Sequence, residues 1–135
     1  MLAPGINHCY GRTRFGGAYL KPKGKAFKAL VKTTVGLRRF NTDKPLSLTI
    51  KLMSPNWRTK KGAIHLRAGD VDGFCKISID SLAEALGFND ALIFELVILK
   101  VEGEAEQTHF SLSELPWAEV LDQVPQKYAL GGNTL

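Results

Sequence analysis

The sequence predicts one small domain of mixed helix and strand, and three observations carry the prediction. Residues 46–53 alternate, with Leu46, Leu48, Ile50 and Leu52 on one face and Ser47, Thr49 and Lys51 on the other, the period of a half-buried strand. Residues 91–101 (ALIFELVILKV) are almost unbroken apolar and rich in branched side chains, the pattern of a central strand covered on both faces. Two other stretches, 23–35 and 72–86, space their apolar residues three and four apart, as helices do. At 135 residues and 44% hydrophobic content the chain can bury a core but is too short for two ordinary domains.

Taken in order, residues 1–22 are rich in glycine and basic groups (Arg12, Arg14, Gly16, Gly17, Lys21) and predict a basic loop or hairpin with a short strand at 18–20. In 23–35, Ala26, Phe27, Leu30, Val31 and Thr34 fall at helical spacing, Lys25, Lys28 and Lys32 lie on other faces, and Gly36 is the stop. After the alternating strand, residues 54–69 hold Pro55, Trp57, Arg58, Lys60, Lys61, Gly62, His65 and Arg67, a flexible basic and aromatic loop along which a substrate backbone would lie. The second helix, 72–86, presents Cys75, Ile79, Leu82 and Leu86 and ends at Gly87. The apolar strand follows, then a last strand at 107–112. Ser113 is a candidate N-cap for an amphipathic segment at 113–124, and the tail 125–135 is expected to fray.

Charge divides the chain. Residues 1–69 hold fifteen Lys and Arg against one acid, Asp43, whereas residues 70–135 hold three Lys against twelve acids. A half this basic is the electrostatic footprint of a protein that binds a polyanion. No apolar run approaches the eighteen or more residues of a membrane span, and the first residues lack the order of a secretory signal, so the expectation is a cytoplasmic protein without a membrane partner. Cys9 and Cys75 have no metal-ligand spacing and receive no role.

The acids begin where metal ligands would be needed. Asp70 and Asp72 are two apart in a segment that is not yet helical, so both carboxylates face the same way. Lys76 and Asp80 follow Asp72 at i+4 and i+8, and Asp90 stands at the mouth of the apolar strand. Aspartates suit a hard divalent cation, and a neighbouring ammonium suits phosphate without competing as a ligand. Each residue also has an ordinary alternative: Asp72 as a helix N-cap, Lys76 with Asp72 and Asp80 as an exposed ion-pair ladder, Asp90 as a turn residue. On that reading the chain is a non-catalytic nucleic-acid binding module. It is the joint occurrence of the acids and the lysine, beside a basic half, that favours a nuclease.

The run from Asp70 to Leu82 (DVDGFCKISIDSL), then Gly87-Phe88-Asn89-Asp90 and a strand ending in Lys100, resembles the RusA family of Holliday junction resolvases. That family shows a D-x-D-N-x-x-K-x-x-x-D-x-L helix start and a later D-D pair leading into a hydrophobic strand. Pro4-Gly5-Ile6-Asn7, Tyr19-Leu20 and Lys25-Ala26-Phe27-Lys28 are similar to its N-terminal segments. The likeness spans about residues 4–112 of a single domain over 1–135 and leaves 113–135 as a C-terminal extension. It implies an α+β fold, a mixed β-sheet packed with two main helices, and a homodimeric endonuclease of bacterial or phage origin that uses Mg2+, with Mn2+ as an alternative, to cut four-way DNA junctions. A general Mg2+ nuclease without branch selectivity is the other enzymatic possibility. By resemblance Asp70, Asp72 and Asp90 are the metal ligands, Lys76 is the catalytic lysine, and Asp80 is supporting. Gly73 replaces the family's usual Asn and Asn89 the first acid of its D-D pair. The expected DNA contacts are Arg12, Arg14, Lys21, Lys25, Trp57, Arg58, Lys60, Lys61 and Arg67. Of the aromatics interleaved with these bases, Tyr10, Phe15, Tyr19 and Trp57, core or dimer contact is favoured for Phe15 and Tyr19 more than for Trp57.

Overall fold

The alternating stretch forms β3 (Leu46–Ser54) in a computed structural model that describes residues 1–116. Leu46, Leu48, Ile50 and Leu52 are fully buried, while Lys51 on the opposite face is exposed. β3 is the middle of a three-stranded sheet. β4 (Ile93–Glu102) runs parallel to it, with Leu48 opposite Leu96 and Ile50 opposite Ile98, and β5 (Gln107–Glu114) runs antiparallel, with Leu48 opposite Leu112 and Ile50 opposite Phe110. The sheet is therefore mixed, in an α+β arrangement. Helices α2 (Pro22–Val35) and α3 (Cys75–Leu86) pack on one another, and Phe27, Val31, Ile77, Leu82 and Ala85 join the buried leucines of β3 in one core. Pro22 opens α2 with a preset φ, Gly36 ends it, and Gly87 ends α3 in the left-handed region at φ +78° with its N–H on Ala83 O at 2.8 Å. Ahead of α2, a four-residue helix α1 (Ile6–Cys9) leads into a hairpin of β1 (Tyr10–Arg12) and β2 (Ala18–Leu20).

Several expectations are corrected. The apolar run is not the central strand: β4 lies at the sheet edge among the described residues, and Phe94, Leu96 and Leu99 are 52%, 40% and 42% exposed. An apolar run reports side-chain character, not the number of strand neighbours, and it is β3 that has a partner on each side. Ser113 caps no helix. It continues the alternation of β5 and pairs with Ser47, because Ser111, Leu112 and Ser113 keep the period of two. The rest of the expected segment at 113–124, from residue 117 onward, and the tail 125–135 lie outside the described residues.

The buried face of α3 is Ile77, Ser78, Ser81, Leu82 and Ala85, whereas Cys75, Ile79 and Leu86 are only half-buried. Ser78 offsets its burial by donating to Phe74 O at 2.8 Å, and the buried Ser81 hydroxyl has no partner among the described residues. On α2, Phe27 and Val31 are buried but Ala26, Leu30 and Thr34 are exposed.

Candidate active site

The segment that carries Asp70 and Asp72 is held from below by aromatic packing. Trp57, in a 3-10 turn at Pro55–Trp57 that leaves the end of β3, donates its indole N–H to Leu52 O at 2.8 Å and meets Phe74 edge-on, ring centroids 6.0 Å apart. Gly69 lies against the Phe74 ring. Its φ is +101°, and a Cβ there would stand 2.8 Å from Phe74 Cζ, so this position needs glycine for both conformation and space. Lys100, near the end of β4, places Nζ 4.8 Å from the Trp57 ring centroid and donates to Gly69 O. The C-terminal ends of β3 and β4 thus fix the backbone one residue before Asp70.

From there the chain turns into a 3-10 helix at Asp72–Phe74, with Gly73 N–H on Asp70 O at 3.1 Å, and continues into α3. Neither the 3-10 turn nor α3 has a side-chain cap, so Asp72 is not an N-cap. Both carboxylates are exposed and line one cavity of about 430 Å³ with Ile6, Asn7 and His8 of α1, Arg67 and Phe74. Two carboxylates on one cavity wall fit Mg2+, which takes one or two protein carboxylates and completes its shell with water and substrate phosphate.

Lys76, one turn beyond Asp72, is held. Its ammonium donates to Asp80 Oδ2 at 3.1 Å and lies 5.3 Å from the ring centroid of Tyr10, and the Tyr10 hydroxyl donates to the same Asp80 oxygen at 2.6 Å. Burial, then the hydrogen bond to Asp80, pushes the Tyr10 phenol up from its ordinary value, so it remains a donor at neutral pH. Of the ion-pair ladder considered above, only the Lys76–Asp80 rung is present. The Tyr10 contact escaped the sequence reading because its partner is 70 residues away. No local spacing signals it.

Asp90 is not brought to the other two acids within one chain. α3 spans twelve residues, about 18 Å at helical rise, and carries the chain from Asp72 to the far end of the sheet before Asp90 is reached. There Asn89 caps a 3-10 turn at Asp90–Leu92, accepting from Ala91 N–H at 2.9 Å, and Ile93 pairs with Leu46 at the start of β3. Lys100, which touches Gly69, is seven residues further along β4, about 23 Å away at strand rise. Asp90 is absent from the cavity wall, and among the described residues no three Asp, Glu, His or Cys side chains form a metal-holding group. Within one chain, a helix antiparallel to its following strand separates their starts.

Of the expected DNA contacts, Arg12, Arg14, Lys25, Arg58, Lys60, Lys61 and Arg67 are exposed, and Arg67 borders the cavity. Lys21 is half-buried and donates to Asn7 O at 2.9 Å, while Arg58 is paired with Glu102. Trp57 is corrected: 8% exposed, with its N–H committed, it is a core residue and offers no stacking face. Phe15 and Tyr19, favoured as core or dimer contacts, are 95% and 50% exposed, so neither is a core residue of the chain. Burial, then the carboxylates of Asp72 and Asp80, raises the Cys75 thiol, and burial raises that of Cys9.

Among the described residues no helix is long and apolar enough to cross a membrane. A search of curated proteins found no match to the chain. The family model described as Endodeoxyribonuclease RusA matches residues 4–111.

Proposed function

Because the chain belongs to the RusA endodeoxyribonuclease family, whose members are crossover junction resolvases, we propose that it is a Mg2+-dependent, structure-selective nuclease that resolves Holliday junctions as a homodimer. The observation that carries this reading is the pair of exposed carboxylates, Asp70 and Asp72, free of helix capping and facing one cavity beside Arg67, with a restrained lysine one turn away.

A phosphodiester is anionic and slow to hydrolyse. A bound divalent ion supplies charge neutralisation and a water of lowered pKa. Asp70 and Asp72 would hold that ion, and Mn2+ would suit the same oxygens. Arg67 adds positive charge on the cavity wall where a phosphate would enter. Lys76, kept in place by Asp80 and Tyr10, directs its ammonium at the phosphate or the departing oxygen. Arg12, Arg14, Lys25, Lys60 and Lys61 bind the backbone by charge, which positions the DNA without reading its sequence. Two such sites related by a two-fold axis match two equivalent strands of a four-way junction.

The test is cleavage of a synthetic four-way junction and of a linear duplex of the same sequence, with Mg2+ or with EDTA, by wild type and Asp70→Asn. The proposal expects paired nicks in the junction alone, abolished by EDTA and reduced at least 100-fold by the substitution. Equal cutting of both substrates refutes branch selectivity, and undiminished cutting by Asp70→Asn refutes the site.

A further inference from the structure

The tip of the hairpin between β1 and β2 displays Phe15 in a way that neither the core nor the metal cavity uses. The side chain is 95% exposed, the most exposed aromatic among the described residues, where a ring of this size ordinarily packs. Its display is fixed by the turn. Thr13 N–H donates to Gly17 O at 2.6 Å, Gly16 N–H to Thr13 O at 3.0 Å and Gly17 N–H to the Thr13 hydroxyl at 2.9 Å, and Gly16 takes the left-handed φ of +85° that lets the chain close on itself. Arg14 and Phe15 are the two central residues of that turn, and both are exposed.

The hairpin is rooted in the wall of the active site. Asn7 and His8, just ahead of β1, line the cavity with Asp70 and Asp72. Tyr10, the first residue of β1, holds Asp80 beside Lys76, and Lys21, just past β2, ties its N–H to Cys9 O at 2.6 Å and its ammonium to Asn7 O at 2.9 Å. The Tyr19 ring of β2 lies against Gly11 of β1 and leaves no room there for a Cβ, so one strand braces the other. Phe15 is five residues beyond Tyr10, at most about 17 Å away at strand rise, the length of about five base pairs of duplex. Arg12 and Arg14 beside it are exposed, and no acid precedes Asp43, so the whole arm is basic. An apolar ring between guanidinium groups fits a ligand with an anionic backbone and flat apolar faces. An apolar protein surface would leave both arginines unmatched.

A linear duplex offers no such face, because every base is covered above and below. The open centre of a four-way junction does: each arm ends there in a base pair with one face uncovered, and seating a ring costs least where the stack is already interrupted. We infer that the β1 and β2 hairpin is a branch-reading arm, in which Phe15 stacks on an uncovered base at the centre of the junction while Arg12 and Arg14 hold the phosphates on either side. This rests on the nuclease reading above and names the element that tells branched from linear DNA.

Equilibrium binding in EDTA separates this arm from the chemistry. With the full chain, fluorescence anisotropy at one salt concentration gives the affinity for a labelled four-way junction and for a linear duplex of the same arm sequence. Phe15→Ala is expected to reduce the ratio of junction to duplex affinity about ten- to hundredfold, with the urea midpoint unmoved because the ring is outside the core. Phe15→Trp is expected to restore the ratio, and the emission it adds over wild type to be quenched by the junction and not by the duplex. Arg14→Ala, which removes a phosphate contact, is expected to weaken both substrates alike. A Phe15→Ala protein with the wild-type ratio overturns the inference, as does a loss equal on both substrates, or a wild type without preference for the junction. Selective junction binding with no Mg2+-dependent cleavage defeats the nuclease reading alone, and the Phe15 ratio still decides the arm.

Discussion

Replacing Gly69 by alanine tests whether the backbone before Asp70 is held as described. Two penalties follow from the geometry. A non-glycine residue at φ +101° costs about 1–3 kcal/mol. The new methyl would also stand 2.8 Å from Phe74 Cζ and 3.0 Å from Cε2, on a buried ring that also meets Trp57 edge-on. Such overpacking costs about 1–3 kcal/mol. With partial relaxation the sum is about 2–4 kcal/mol, a large share of the roughly 5–15 kcal/mol typical of a folded domain. Gly73, four residues on, is the control: a Cβ there has nothing within 4 Å, so Gly73→Ala should stay within about 0.5 kcal/mol of wild type. Urea unfolding at constant m-value reads both. Because the displaced residue is next to Asp70, junction cleavage by the folded fraction of Gly69→Ala should fall as well. Equal stability of the two variants, or a Gly69→Ala midpoint matching wild type, refutes the reasoning.

Three further outcomes are expected. Tyr10→Phe keeps the ring but removes the 2.6 Å hydrogen bond that, with Lys76, fixes Asp80; single-turnover cleavage should slow about tenfold, or about 1.4 kcal/mol, with junction affinity unchanged and no further loss when Asp80→Asn is already present. A wild-type rate would show that Lys76 does not depend on this contact. Trp57→Ala should destabilise the fold by about 3–5 kcal/mol while the protein, kept folded at low temperature, binds junction DNA as before; weakened binding without lost stability would restore the stacking role denied here. Removing the exposed Lys60 or Lys61 should lower the slope of log affinity against log salt by up to about 0.9 each without changing the preference for junction over duplex, and an unchanged slope would place those lysines off the DNA.

The parts of this fold that depend on one element alone were legible in the sequence. The alternation of β3 named its buried residues correctly, and Gly36 and Gly87 marked the ends of both main helices. What depends on how elements meet was not. The composition of β4 could not reveal that it has one partner instead of two. Trp57 sits among basic residues like a DNA contact, and its burial is set by the Leu52 carbonyl that takes its N–H and by Phe74, seventeen positions away. Phe15 showed the reverse, an apolar side chain left in solvent at a hairpin tip. Asp70 and Asp72, two apart ahead of α3, line one cavity, a placement that their local spacing alone suggests. Asp90 was grouped with them by its place at the mouth of the apolar strand and by family resemblance, and within one chain the intervening helix carries it away. The Lys76–Asp80 rung shows in the i to i+4 spacing, but the Tyr10 contact that completes the clamp, 70 residues from Asp80, leaves no trace in it.

The central claim is that the carboxylates of Asp70 and Asp72 together hold a divalent ion. Calorimetric titration of Mn2+ into wild type, Asp70→Asn and Asp72→Asn tests it without any DNA. The account predicts one tightly bound ion per active site in the wild type and loss of that binding in both variants. Unchanged ion uptake in either variant contradicts it.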